Sequence, residues 1–178
     1  MAAVAERLTY TLPDVVTERA RRAPVDIDAD SLPRLVVTGG DVVADQTMEP
    51  GRTHYTITLA VAGFVAASTD LAAEQALSTL YARVVDVLDA WTPGSADAEQ
   101  PLWAGRIGAQ MTVARAQASG AQATAQAAAA LSLGLGDLAE QGAEFRLYDA
   151  EESARPAGEF VVRFSLLAVS PAGGAWSS

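Results

Sequence analysis

The chain has 178 residues, no cysteine, one histidine, and 22 acidic against 12 basic residues, a formal net charge of −10. That length suits one domain with a real core, since folding buries roughly 70% of the extended-chain surface at this size. The lack of cysteine excludes disulfides, thiolate nucleophiles and sulfur-ligated zinc, and the acidity argues against a chain that wraps phosphates, which needs clustered cations.

Residues 4 to 23, VAERLTYTLPDVVTERARRA, read as a short helix or helix pair broken near Pro13. Asp14 is a candidate N-cap, and Arg19, Arg21 and Arg22 sit at the far end, where cations suit the helix dipole. Glu6 and Arg7 interrupt the apolar core a signal peptide needs, and no apolar run approaches the ~18 residues that span a bilayer. A soluble chain, intracellular at synthesis and without membrane contact, is expected.

PVDIDADSLP follows as a loop bracketed by Pro24 and Pro33, then a first strand at RLVVTG, ending at Gly39 and Gly40. A polar connection, GDVVADQTMEPG, leads to a clear period of two. Tyr55, Ile57, Leu59 and Val61 share one face, to be buried, and His54, Thr56, Thr58 and Ala60 the other. After Gly63 the spacing changes to three and four, through Leu77, Leu80, Tyr81, Val84, Val87, Leu88 and Trp91, with Asp70 and Glu74 in the first turn. This predicts an amphipathic helix laid on a sheet.

Residues 92–130 differ in kind. TPGSADAEQP is a turn-rich linker, and ARAQASGAQATAQAAAA is a low-complexity tract that reads either as helix on both sides of Gly120 or as a mobile surface insertion. Ordinary domain character returns at LSLGLGDLAEQGAEFRLYDAEE, with a short helix expected near Leu135 to Leu138 and a short strand near Phe145 to Tyr148. The last element, GEFVVRFSLLAVSP, is a long strand with Phe160, Val162, Phe164, Leu166 and Ala168 on one face. Its other face is mixed: Glu159, Val161, Arg163, Ser165, Leu167 and Val169. Trp176, in the tail PAGGAWSS, either docks on a partner subunit or folds back on its own domain.

Together these elements predict one α+β domain over residues 1–178: an antiparallel or mixed four-stranded sheet packed with two or more helices, carrying an Ala/Gln-rich helical insertion at 92–130. The expected core is Tyr55, Ile57, Leu59, Val61, Leu77, Leu80, Tyr81, Val84, Leu88, Phe160, Val162, Phe164 and Leu166. Candidate subunit-contact residues are Val161, Arg163, Leu167, Val169 and Trp176.

Chemistry is sparse. His54, at a strand start opposite the buried face, reads as a solvated polar residue, and no serine stands in a G-x-S-x-G context. Asp26, Asp28 and Asp30 alternate as a calcium loop begins, but Ser31 takes the place that wants glycine and Val37 the place of the bidentate glutamate. Gly134, Gly136 and Ala139 form a loose G-x-G-x-x-A that lacks the following long helix and reads as a helix end with flexible glycines. Asp149, Glu151 and Glu152 read as a solvated turn. No catalytic, cofactor or metal residues are expected, and a structural or interaction role fits better than an enzyme.

The order of elements carries a resemblance. The N-terminal helix, the Leu32–Pro33 lead into the first strand, the strand-to-helix unit of residues 52 to 91 and, in LGLGDLAEQGAEFRLYDAEESARPAGEFVVRFSLLAV, the closing pair of strands after a short helix near Leu135 to Leu138 resemble the tail terminator proteins of long-tailed bacteriophages and phage-like particles. The resemblance covers about residues 4 to 91 and 131 to 170 and has no invariant signature. It implies a sheet backed by helices, six copies closing into a ring that caps the tail tube and meets the head–tail connector, DNA passing through the lumen without specific binding, no cofactor, and a place at the head–tail junction of the virion after assembly in the host cytoplasm. The insertion at 92–130 departs from that pattern. Two other expectations stay open beside it: another connector or head-completion adaptor, and an unrelated small-molecule-binding domain.

Overall fold

The computed structural model describes residues 1–45, 53–89, 134–148 and 153–170. The amino-terminal helix α1 (Ala2–Thr11) buries Ala3, Val4 and Leu8, one stripe at spacings near the helical period, and Leu12 closes it by donating its N–H to the Leu8 carbonyl. The chain then forms a short strand, β1 (Val16–Arg19), before β2 (Arg34–Asp45), β3 (Thr53–Ala66), helix α2 (Asp70–Leu88), β4 (Gly134–Tyr148) and β5 (Ala157–Ser170).

The fold is α+β, and its five strands make one mixed sheet in the order β1-β2-β3-β5-β4. β1 runs parallel to β2, with Val16 opposite Arg34 and Arg19 opposite Val37. Thr38 reaches the Ala60 carbonyl, and Gly40 lies against Thr58, so partners on β3 recede as β2 advances; those two strands are antiparallel. The same reasoning makes β3 antiparallel to β5, from the pairs Gly63 with Phe160 and Ala67 with Pro156. Glu144 with Arg163 and Tyr148 with Glu159 make β5 antiparallel to β4.

Four expectations are corrected here. The second part of residues 4 to 23 is a strand, not a helix, because Val16–Arg19 pairs with the edge of β2, and it supplies a fifth strand where four were expected. Asp14 caps nothing; it is held by Arg83. The segment expected to hold a short helix at Leu135 to Leu138 is strand throughout Gly134–Tyr148. β2 also continues past Gly39 and Gly40 to Asp45. The 92–130 segment, with Trp91, lies outside the described residues.

Contacts divide the chain into two compact units. The first comprises Met1–Gly40, Thr58–Asp89 and Ala139–Ser165, the second Asp41–Ile57, Ala90–Leu138 and Leu166–Ser178. In the first, both helices lie on one face of the sheet, with Met1 beside Gly39, Leu77 beside Gly158 and the Tyr81 ring against Phe160. α2 starts at Thr69, whose extended backbone and hydroxyl, accepting from the Ala72 N–H, form an N-cap, and Asp70 in the first turn suits the dipole. Its stripe Ala73, Leu77, Leu80, Val84 and Leu88 is buried, with Leu59, Val61, Phe160, Val162 and Phe164, whereas Tyr81 is half-buried at the margin. Phe160 fills the space over Gly63, where a Cβ would stand 2.3 Å from the ring, so only glycine allows this approach of the strands. In the second unit Tyr55, Leu138, Leu166 and Ala168 are buried, Ile57 is half-buried, and Val42, Val43 and Leu167 are exposed.

Candidate functional site

The sheet face opposite the helices, within the first unit, carries its polar chemistry. At one side Arg34 on β2 is buried, and around it a closed ring of alternating charge forms. Arg34 pairs with Glu18 on β1 and lies 3.6 Å from Asp30, while Arg21 lies 3.2 Å from Glu18 and 2.7 Å from Asp30. The pattern of β1 and β2 puts Glu18 and Arg34 on one face, and the loop after β1 brings back Arg21 and Asp30. The two carboxylates compensate the buried guanidinium, and the ring fixes the loop to the strands.

That loop holds the three alternating aspartates, and their oxygens are engaged. Asp26 accepts from the N–H groups of Asp28 and Ala29, and Asp30 from Arg21 and the Asp26 N–H. Asp28 accepts from the Ala154 N–H, while Arg155 donates to the Ile27 carbonyl at 2.6 Å. The N–H of Asp26, with the Arg21 guanidinium, holds the Asp30 carboxyl below the usual carboxylate range. The aspartates are loop ties, and among the described residues no group of three or more His, Asp or Glu side chains gathers as a metal ligand set.

At the other side of the sheet, Tyr81 of α2 reaches over the β4 margin. Its ring meets Phe145 edge-on at 5.1 Å and Phe160 at 5.7 Å, and its hydroxyl donates to Glu140 at 2.6 Å, which raises the phenol pKa. Glu140 and Phe145 are an odd number of residues apart, so an unbroken strand would turn them to opposite faces. Between them Gly142 has φ +134°, a conformation that favours glycine, and the irregularity it introduces restores both side chains to the helix side. Beyond it Glu144, Arg146 and Tyr148 face away from the helices: Glu144 pairs with Arg163 at 2.8 Å, Tyr148 donates to Glu159, and Arg146 stacks over Tyr148.

β4 is the edge strand of the sheet as described, and it is bare. Between 141 and 147 only Ala143 is half-buried; Phe145 is 52% exposed and Leu147 46%.

Of the residues singled out in the sequence, Val161 is half-buried and Arg163 exposed on the open face of β5, while Leu167 in the second unit is 45% exposed. The Val169 side chain, Trp176, Asp149, Glu151 and Glu152 lie outside the described residues. His54 is not the solvated residue expected: it is half-buried, with both ring nitrogens shielded from solvent. Gly134 and Gly136 belong to a strand, which replaces the helix-end reading of that segment and leaves a phosphate no helix terminus there. The bare β4 edge and the charge ring were missed. The edge was concealed by a segment without alternation, and the ring joins residues distant in sequence, with only the arginine-rich run from Arg19 to Arg34 as a hint.

The chain matches no model of a known protein family, and no curated protein matches it in sequence.

Proposed function

We propose that the protein is a structural assembly protein, a tail terminator whose copies close into a ring, six being the number the resemblance implies. The ring caps a tail tube, stops its growth and presents the surface that joins the head connector. The observation that supports this reading is the order of elements: α1, then the antiparallel pair β2 and β3, then α2, then the antiparallel pair β5 and β4. The chain's charge of −10, multiplied around a ring, makes an acidic lumen through which DNA slides without specific binding. A ring requires a heterologous contact, and the open face of β5 at Val161 and Arg163 is the proposed subunit surface in the first unit.

The test is polymerisation of tail tube protein with and without this chain. Tubes that stop elongating and carry a ring with rotational symmetry at one end, in class averages from negative-stain electron microscopy, are the expected result. Tubes of unchanged length distribution with no added density at either end would overturn the reading.

A further inference from the structure

The exposed edge of β4 has a side-chain pattern that is complementary to itself. We infer that two copies of this chain pair along β4, antiparallel and about a two-fold axis through Phe145, so that the sheet continues from one copy into the other. In that register Glu144 stands opposite Arg146 of the second copy, Arg146 opposite its Glu144, Phe145 opposite its Phe145, and Ala143 opposite its Leu147. The contact does not rest on the tail reading, and it is made along the β4 edge, which borders the β5 face proposed for the ring where Glu144 pairs with Arg163.

Three observations carry it. Among the described residues no strand lies beyond β4, residues 144–147 are exposed, and a sheet margin of this kind templates another strand. The faces separate cleanly: Phe145 lies on the helix side with the Tyr81 ring, and Glu144 and Arg146 on the open side with Arg163 and Tyr148. The axis stands normal to the sheet, so each face meets its own kind. Exposed Phe145 and Leu147 of both copies cover one another on the helix side, and two Glu–Arg pairs form on the open side.

The register is also selected against its neighbours. Sliding by two residues sets Glu144 against Glu144 of the second copy in one direction, and Arg146 against Arg146 in the other, both repulsive. Opposing residues are all odd or all even in number, so the register suits the edge whichever alternation of N–H groups points outward. Gly142, with its positive φ, ends the regular run on one side.

Sedimentation equilibrium of the full chain tests this by charge exchange. Because the contact is two-fold, each substitution counts twice, so Glu144→Arg or Arg146→Glu alone is expected to weaken a concentration-dependent dimer by roughly tenfold or more. The doubly exchanged chain, Glu144→Arg with Arg146→Glu, is expected to restore it. A wild-type chain that stays monomeric at high concentration, or a double exchange no tighter than either single change, would overturn the pairing.

The second measurement uses the absence of cysteine. Phe145→Cys should form a covalent dimer on mild oxidation, since opposed residues in an antiparallel pair lie within disulfide reach, whereas Tyr10→Cys on α1 should not. Equal cross-linking at both sites refutes the register. A hexamer indifferent to charge exchange removes the edge pairing and leaves the ring; a charge-sensitive dimer that caps no tubes removes the tail reading alone.

Discussion

Arg83 holds both carboxylate oxygens of Asp14, with its terminal nitrogens 2.6 and 2.9 Å away, across 69 residues of sequence. The forked hydrogen bond ties the turn after α1 to α2 and holds the Asp14 carboxyl below its usual range. Both side chains stand in water, where ion pairs are screened and contribute little. Arg83→Ala is therefore expected to cost less than any core truncation, with most of the effect gone in molar salt; urea unfolding at two ionic strengths measures it.

Gly63 should not tolerate a side chain. A Cβ there meets the fully buried Phe160 ring, and overpacking of this kind costs about 1–3 kcal/mol. Gly63→Ala is expected to lower stability by that amount in urea titration. Combining it with Phe160→Leu should cost less than the sum of the two, because the smaller side chain vacates the contested space.

The first of these contacts could not be read from the sequence, and the second only in part. Period two at Tyr55, Leu59 and Val61, and three-four spacing at Leu77, Leu80, Val84 and Leu88, follow from burial of one face, so β3 and α2 were legible residue by residue. β1 was not. VTER has a charged, helix-compatible composition, and it is a strand because of pairing with Arg34–Val37, a relation no local window contains. β4 was concealed differently, since the conformation at Gly142 breaks the alternation that would have announced a long strand. The candidate edge was hidden with it. Glu144 to Arg146 is an ordinary surface tripeptide until the strand order puts it at a margin.

Helix α2 depends on its first residue contacts. Thr69 accepts from the Ala72 N–H, and removal of such a cap costs about 1 kcal/mol. Thr69→Ala should lose that much by thermal or urea unfolding, and Thr69→Ser should lose little.

Acid should act through Asp30. Its folded pKa lies below the unfolded value, so its contribution is present above the ordinary carboxylate pKa and disappears as pH falls through the lowered folded value. Asp30→Asn should reduce stability at neutral pH and leave a shallower acid limb in urea midpoints measured across pH.

At the alkaline end the sign reverses. The Tyr81 phenol pKa is raised, chiefly by its hydrogen bond to Glu140, so this contribution is complete below the ordinary tyrosine pKa and is lost as pH rises through the folded value. Ultraviolet titration should show the Tyr81 phenol ionising late, as a step present in the wild-type chain and absent from Tyr81→Phe, which preserves the ring contacts.

The parallel pairing of β1 and the ties of α1 to α2 bear on how the chain is made. The Nε of Arg7 donates to the carbonyl of Val87, 80 residues later, and Asp14 waits for Arg83. Translation at about 5–20 residues per second leaves several seconds between synthesis of the first helix and arrival of these partners. During that interval Val4, Leu8 and Leu12, later buried, have no α2 to pack on. The segment of α1 and β1 thus leaves the ribosome before the helix that α1 packs on, and a nascent-chain chaperone has that time in which to hold it.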